Sequence, residues 1–307
     1  MASVLERIGR ARSAPLHTLT PDQARARYRA GAEVLDLPRA PLPRVESLTL
    51  PGGDGHARPA RLYAARAMDD QEPLPALLYL HGGGFVVGDL ETHDSLCRQI
   101  ALRSGGAVVA LDYRLAPEHP FPAAWDDAAA ALRGLHEAAR NLGLDASRMA
   151  IGGDSAGGTL AAATACHARD IGLELRLQVL ITPGTSATGD TPSRRRYAKG
   201  HLIEDETIDW FFDHVIPRDQ RHDPRFAPLE QSDLEGLCPA HVLLAECDPL
   251  VDEGLAYADR LRCAGVPVQL DLVRGVTHDF IKMGRALPEA SEALNGIAQS
   301  LQGAWTS

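Results

Sequence analysis

Residues 148–158 restrict what this chain can fold into more than any other stretch. A short apolar run, Met149-Ala150-Ile151, meets Gly152-Gly153-Asp154-Ser155-Ala156-Gly157-Gly158, and residues 159–168 continue as an alanine-rich helical stretch. An apolar strand that breaks at glycines, presents one serine and resumes as a helix has the pattern of a nucleophile elbow. Ser155 is therefore the candidate nucleophile. Gly153 and Gly157 suit such a turn, because side chains there would collide with the neighbouring strand and helix while the serine is held in a sparsely populated backbone conformation. The spacing by itself is equally consistent with Ser155 serving as a helix N-cap after a glycine turn.

The flanking sequence repeats the strand-then-helix pattern. Apolar runs at 76–80, 107–111, 149–151, 177–181, 241–245 and 268–273 alternate with helical stretches at 92–103, 123–139, 159–168, 252–264 and 288–301. Runs that are apolar on both faces, each followed by a helix, predict a mostly parallel sheet covered on both sides. Before them, residues 45–50 and 57–63 flank the turn Pro51-Gly52-Gly53-Asp54-Gly55, an antiparallel hairpin by its turn chemistry. Thr20-Pro21-Asp22 reads as an N-cap with proline at the first helical position, for a helix ending at Gly31. Between about 183 and 239 the alternation fails. That stretch holds a helical segment, 204–215, with Trp210, Phe211 and Phe212, and it reads as an inserted lid; together with the helix at 20–30 it is expected to roof a pocket.

Two further segments belong with the elbow. His81-Gly82-Gly83-Gly84-Phe85 follows a buried strand, and its glycines let backbone N–H groups approach a ligand closely. Acyl transfer needs such donors for the oxygen that becomes negative, and the candidates are the N–H groups of Gly83, Gly84 and Ala156. A serine at neutral pH also needs a base, and the base an orienting acid. The run 241–245 leads into Glu246-Cys247-Asp248-Pro249-Leu250, and 268–273 leads into Gly275-Val276-Thr277-His278. Strand C-terminal ends are where the loops of an open parallel sheet gather, so Asp248 and His278 are the candidate acid and base. Their order along the chain, serine then acid then histidine, is that of a known triad arrangement. Asp252 is a rival acid, better explained as the N-cap of the next helix.

Composition excludes other classes. A formal net charge of −10 speaks against a nucleic-acid or anionic-membrane partner, and the one basic run, Arg194-Arg195-Arg196, reads as a solvated face. No stretch reaches the roughly 18 apolar residues of a membrane span. The first twelve residues carry charges where a signal peptide needs an apolar core. Five cysteines without metal or redox spacing read as reduced thiols. A cytoplasmic protein is expected.

Together, His81-Gly82-Gly83-Gly84, Asp112-Tyr113-Arg114-Leu115-Ala116-Pro117-Glu118, Gly153-Asp154-Ser155-Ala156-Gly157, Asp248-Pro249-Leu250 and His278 resemble the motifs of the bacterial hormone-sensitive-lipase-like (family IV) carboxylesterases of the α/β-hydrolase fold. The resemblance runs loosely from about residue 15 to the C-terminus. It implies a triad of Ser155, Asp248 and His278, no cofactor and no metal, and a helical cap built from residues 1–45 and 184–239 over a catalytic domain of 46–183 and 240–307. Arg114 and Glu118 would hold loops near the site. The chain departs from the family at Thr182-Pro183, where members usually carry Tyr-Pro. The implied substrate is a small-molecule ester with a short- to medium-chain acyl group, with no nucleic-acid partner, no membrane span, and a homodimer left open. Two other readings stand beside it. One is a non-catalytic small-ligand receptor on the same scaffold, against which the retained His278 argues; the other is an amidase or lactonase using the same triad.

Overall fold

The computed structural model describes residues 1–10, 14–68 and 72–306. Residues 11–13, in the expected N-terminal cap, and 69–71 and 307, in the expected catalytic domain, lie outside the described residues. Among the described residues the strands are β1 (Arg44–Pro51), β2 (Ala57–Ala64), β3 (Leu74–Leu80), β4 (Ala107–Leu111), β5 (Leu144–Asp154), β6 (Gln178–Ile181), β7 (Ala240–Cys247) and β8 (Val268–Thr277). They form one sheet in the order β1-β2-β4-β3-β5-β6-β7-β8. β1 and β2 pair antiparallel as the hairpin chemistry predicts, β2 also runs antiparallel to β4, and every pairing from β4 to β8 is parallel. The helices are α1 (Ala2–Arg10), α2 (Pro21–Gly31), α3 (Asp94–Ser104), α4 (Ala123–Ala138), α5 (Ala156–Asp170), α6 (Pro192–Arg196), α7 (Asp205–Val215), α8 (Val251–Cys263) and α9 (Pro288–Thr306).

The core lies in two layers, one on each face of the sheet. Leu132 and Leu135 of α4, Leu160 and Ala161 of α5 and Tyr257 of α8 pack on one side with Leu78 and Ile151. Leu96 and Ile100 of α3 and Leu294 and Ile297 of α9 pack on the other with Leu77 and Val179. The central strands are buried on both faces, which accounts for their unbroken apolar runs. β8 differs from its predicted burial. It is an edge strand of mixed exposure, with Gln269, Leu272, Arg274 and Gly275 exposed and only Val276 and Thr277 at its end buried.

Thr20 caps α2 with proline at the first helical position, as predicted, and Gln23 completes a capping box: the Thr20 hydroxyl accepts from the Gln23 N–H and the Gln23 side chain accepts from the Thr20 N–H. Asp252 is not a cap. Leu250 occupies the N-cap position of α8, and the Asp252 carboxylate instead accepts the Ser193 N–H at 2.7 Å, joining α8 to α6. The Arg194-Arg195-Arg196 run is likewise not a uniform solvated face. α6 turns Arg194 inward, where it is buried and paired with Asp205 and Asp209 of α7, and leaves Arg195 outside.

The N-terminal segment is fastened to the body of the molecule. Arg25 on α2 donates to the carbonyls of Val86 and Ala116 and to the carboxylate of Glu118. His17 contacts Thr207 and Glu206 at the start of α7. Among the described residues no helix is long and apolar enough to cross a membrane.

Packing at the elbow is tight enough to be tested. A Cβ on Gly157 would lie 1.9 Å from the Leu80 carbonyl oxygen and 2.6 Å from that of His81, both rigid backbone atoms, whereas a Cβ on Gly303 in α9 meets nothing within 4 Å. Gly157→Ala is expected to destabilise by about 3 kcal/mol or more through overpacking, while Gly303→Ala should stabilise by about 0.5–1 kcal/mol through helix propensity. Urea unfolding midpoints of the two variants check both signs.

Candidate active site

Three strand ends converge on one point. β5 ends at Asp154 and hands over to α5 through Ser155, whose φ of 53° and ψ of −122° are sparsely populated for a residue with a side chain. The Ser155 N–H donates to the Ile181 carbonyl at 2.8 Å, which pins the turn to the end of β6. Ser155 stands at the N-cap position of α5, yet its side chain makes no capping bond. Its Oγ lies 2.9 Å from Nε2 of His278 instead.

His278 follows β8 directly, and Asp248 follows β7 directly. A register shift between Ala245 and Cys247 re-aims the end of β7, and the Thr277 hydroxyl donates to the Cys247 carbonyl at 3.1 Å, so the two loops leave the sheet side by side. Asp248 Oδ2 accepts from His278 Nδ1 at 2.7 Å, and its Oδ1 accepts the Leu250 N–H at 2.9 Å. With Nδ1–H donating to the carboxylate, Nε2 is left free to accept the Ser155 proton. All three side chains are buried. Burial works against a charged imidazole, but the Asp248 carboxylate outweighs it and lifts the His278 pKa to about 9. Asp252, the rival acid, makes no contact with His278 and is engaged with Ser193.

The glycine loop after β3 wraps over the elbow. Gly83 has φ of 122° and Gly84 has φ of 58°, both in the region that favours glycine. A Cβ on Gly84 would lie 2.2 Å from the ring of Phe211 on α7, so the loop and the insertion touch here. The Gly83 carbonyl accepts the N–H groups of Val86 and Val87. The N–H groups of Gly83, Gly84 and Ala156 have no acceptor among the described residues.

Sequence reading passed over a buried polar network under this loop. Asp154 Oδ1 accepts the Tyr79 hydroxyl at 2.6 Å and the Gly82 N–H at 3.1 Å, and Oδ2 lies 3.2 Å from His93 Nε2. Burial disfavours the carboxylate charge, but His93, Lys282 and the Tyr79 hydrogen bond outweigh it and hold Asp154 well below the usual carboxylate range. Lys282 donates to the Tyr28 hydroxyl on α2 at 2.8 Å. Its place in the motif beside Ser155 was a signal for Asp154; His93 and Lys282 offered none, since their neighbours come from distant parts of the chain. Glu253 was also missed. It is buried, accepts the N–H groups of Thr185 and Ser186 at 2.6 and 3.1 Å, and has its pKa pushed up to about 7 by burial despite those donors.

Ser155 opens into a space of about 430 Å³, partly open to solvent. Gly84, Ala156, Thr159 and Leu250 line its floor, and Ile208, Phe211 and Phe212 of α7 line its roof. Two expectations change here. No described residue of 1–45 lines this space, because α2 is held against the 86–118 loops; the turn before α2 reaches α7 through His17. Trp210 does not line it either and packs on His214 at 4.4 Å. Thr182, where the family carries tyrosine, is buried with a φ of 41° and is not part of the wall; Gly184 and Ser186 are.

Comparison with known proteins agrees with this architecture. Residues 77–282 match a family described by the α/β-hydrolase fold. The chain is 44% identical to an ethyl acetate hydrolase of Pseudomonas putida over 98% of its own length and 97% of the relative's. It is 41% identical to the esterase LipI of Mycobacterium tuberculosis, covering 85% and 83% of the two chains. The solved structure of a hyperthermophilic esterase from the archaeon Pyrobaculum calidifontis superposes with a TM-score of 0.92 at 37% identity, over 99% of this chain and 97% of that one.

Replacing Asp248 removes the main cause that raises His278, and leaves the burial that lowers it together with the weaker pull of Asp279 and Asp154. In Asp248→Asn the His278 midpoint should therefore fall from about 9 toward lower pH. Asp252→Asn should leave that midpoint in place and cost about 1 kcal/mol of stability through the weakened bond to Ser193. Imidazole NMR titrations and thermal unfolding separate the two.

Proposed function

This chain belongs to the α/β-hydrolase family, among its hormone-sensitive-lipase-like carboxylesterases, and from that premise we propose that it hydrolyses short- to medium-chain acyl esters at Ser155 through an acyl-enzyme. Carboxylic ester hydrolysis is the activity named for its relatives at 41–44% identity. The observation that carries the mechanism is the unbroken line from Ser155 Oγ through His278 to Asp248, at 2.9 and 2.7 Å, on the floor of a largely apolar space.

In this reading His278 Nε2 takes the Ser155 proton as Oγ attacks the ester carbonyl. The carbonyl oxygen becomes negative and is held by the N–H groups of Gly83, Gly84 and Ala156, which have no competing acceptor to give up. Asp248 holds the imidazole in the tautomer that leaves Nε2 open and stabilises its charged form. His278 then returns the proton to the leaving alcohol, and in the second half it activates a water that releases the acid. The 184–239 insertion, with residues 1–45 behind it, acts as the cap. We place the protein in the cytoplasm on its five unpaired cysteines. A ligand receptor on this scaffold has no use for the intact Ser155–His278 hydrogen bond; an amidase or lactonase would use the same geometry, and the substrate screen below distinguishes it.

Each acyl methylene buried under α7 contributes up to ~0.8 kcal/mol until the space is full. The kcat/KM of p-nitrophenyl esters should therefore peak at about four to eight carbons, as expected for a pocket of limited volume, and should exceed that for matched anilides and lactones. Ser155→Ala should keep the fold and lower kcat by a factor on the order of 10⁶; Asp248→Asn should cost roughly 10⁴. Only the neutral imidazole accepts a proton, so kcat/KM should climb with pH through the His278 midpoint near 9 and the residual limb of Asp248→Asn should move to lower pH. Ordinary turnover by a folded Ser155→Ala variant would falsify the assignment.

A further inference from the structure

A second cavity lies behind the one that holds Ser155, a narrow space of about 310 Å³ when the open solvent at its mouth is included. Phe121, Trp125, Leu160 and Arg225 line it, and two residues, Phe85 and Phe226, belong to the walls of both spaces. Phe226 stands between them. Its ring lies 4.9 Å from that of Phe212, which lines the first space, 6.1 Å from that of Phe121, which lines the second, and 5.8 Å from that of Phe85. It is buried at 3% exposure and carried on a turn in which the N–H groups of Phe226 and Ala227 both donate to the Asp223 carbonyl. Arg225 braces the same turn through Asp223 and spreads its guanidinium over Phe121 and Trp125 at 5.0 and 5.3 Å.

The two shared rings are not equivalent. Phe85 sits in the glycine loop with a φ of 63°, so altering it disturbs the backbone that carries the candidate oxyanion donors. Phe226 lies outside the glycine loop and outside the triad, and it meets the loop through the ring of Phe85. The far space is walled mainly by apolar side chains, among them Phe121, Trp125 and Leu160, which suit a hydrocarbon tail; Arg114 and Arg225 also line it, and its rim reaches the exposed His119.

We propose that Phe226 sets the upper limit of acyl length by closing the substrate space off from the second cavity, which is a latent subsite for the distal part of a longer acyl chain. This rests on the reading of Ser155 as the nucleophile of an esterase. A chain that outgrows the first space meets the Phe226 ring; with the ring trimmed, the same methylenes enter the second cavity, each worth up to roughly a factor of four in kcat/KM.

The experiment measures kcat/KM for p-nitrophenyl butyrate, octanoate and dodecanoate with the parent, Phe226→Leu and Phe226→Ala, alongside a series of alkyl acetates that lengthens the alcohol side. In Phe226→Leu the dodecanoate-to-butyrate ratio should rise at least about tenfold, the gain of two or more newly buried methylenes, while the alkyl acetate profile keeps its shape. Adding Phe121→Trp to Phe226→Leu, which narrows the second cavity, should bring the ratio back toward that of the parent. Phe226→Leu retains most of the buried volume and is the deciding variant should Phe226→Ala not fold, with Phe226→Met in reserve. An unchanged ratio in a folded, butyrate-hydrolysing Phe226→Leu overturns the proposal and leaves the esterase reading standing. A raised ratio that Phe121→Trp does not reverse, or a change confined to the alkyl acetates, overturns the second cavity as the acyl subsite. A parent that turns over no ester removes the reading of Ser155 and this inference with it.

Discussion

The carbonyl of Leu80, at the end of β3, lies where a side chain on Gly157 would have to be, with 1.9 Å between oxygen and a hypothetical Cβ. That contact sets the distance between the glycine loop and the start of α5. Gly153 is under the same pressure, 2.3 Å from the same oxygen. The start of α5 comes this close to the end of β3 only because Gly153 and Gly157 lack side chains, and Gly83, Gly84 and Ala156, whose N–H groups have no acceptor among the described residues, follow directly on these two segments. The strained φ of Ser155 is tolerated because β5, β6 and α5 hold the turn from three sides.

Asp154 fixes the loop from below. A buried carboxylate is costly unless its lone pairs are occupied, and this one is bonded by Tyr79, Gly82 and His93. The Gly82 bond orients the glycine loop, and the Lys282–Tyr28 bond beside it reaches α2. The N-terminal segment is thus joined to the underside of the site as well as to the insertion. Glu253 plays the matching part on the other wall, where its carboxylate gathers the N–H groups of Thr185 and Ser186 beside Gly184. Polar groups outside the triad therefore shape the space in front of Ser155 as much as its apolar lining does.

The roof is less constrained than the floor. Residues near the triad are held by strand ends and backbone hydrogen bonds, whereas the roof is a set of aromatic rings on α7 and on the turn around Phe226, packed on one another. Packing between apolar rings is less directional than hydrogen bonding and tolerates volume-conserving change at modest cost. Chain-length selectivity can vary in such a roof while the chemistry beneath it stays the same.

The sequence by itself determined the parts whose physics is local. Glycines at a strand-to-helix turn, apolar runs wide enough to be buried on both faces, a proline-led helix start and the loops after the last two strands point to the sheet and to Ser155, Asp248 and His278, because each depends on residues adjacent in the chain. Tertiary structure decided whatever depends on partners far apart in it. Arg194 is buried and Arg195 exposed because α7 supplies two aspartates on one side of α6. Asp252 ties α8 to α6 because Leu250 takes the cap position. β8 falls at the edge of the sheet and is left partly exposed. His93 and Lys282 converge on Asp154 from 61 and 128 residues away along the chain, and Phe226 divides two cavities whose walls come from the loop after β3, α4, α5 and the insertion. Spacing carries information about a turn or a helix face, but the closing of loops over a sheet is set by the packing of the whole chain, and no single segment encodes it.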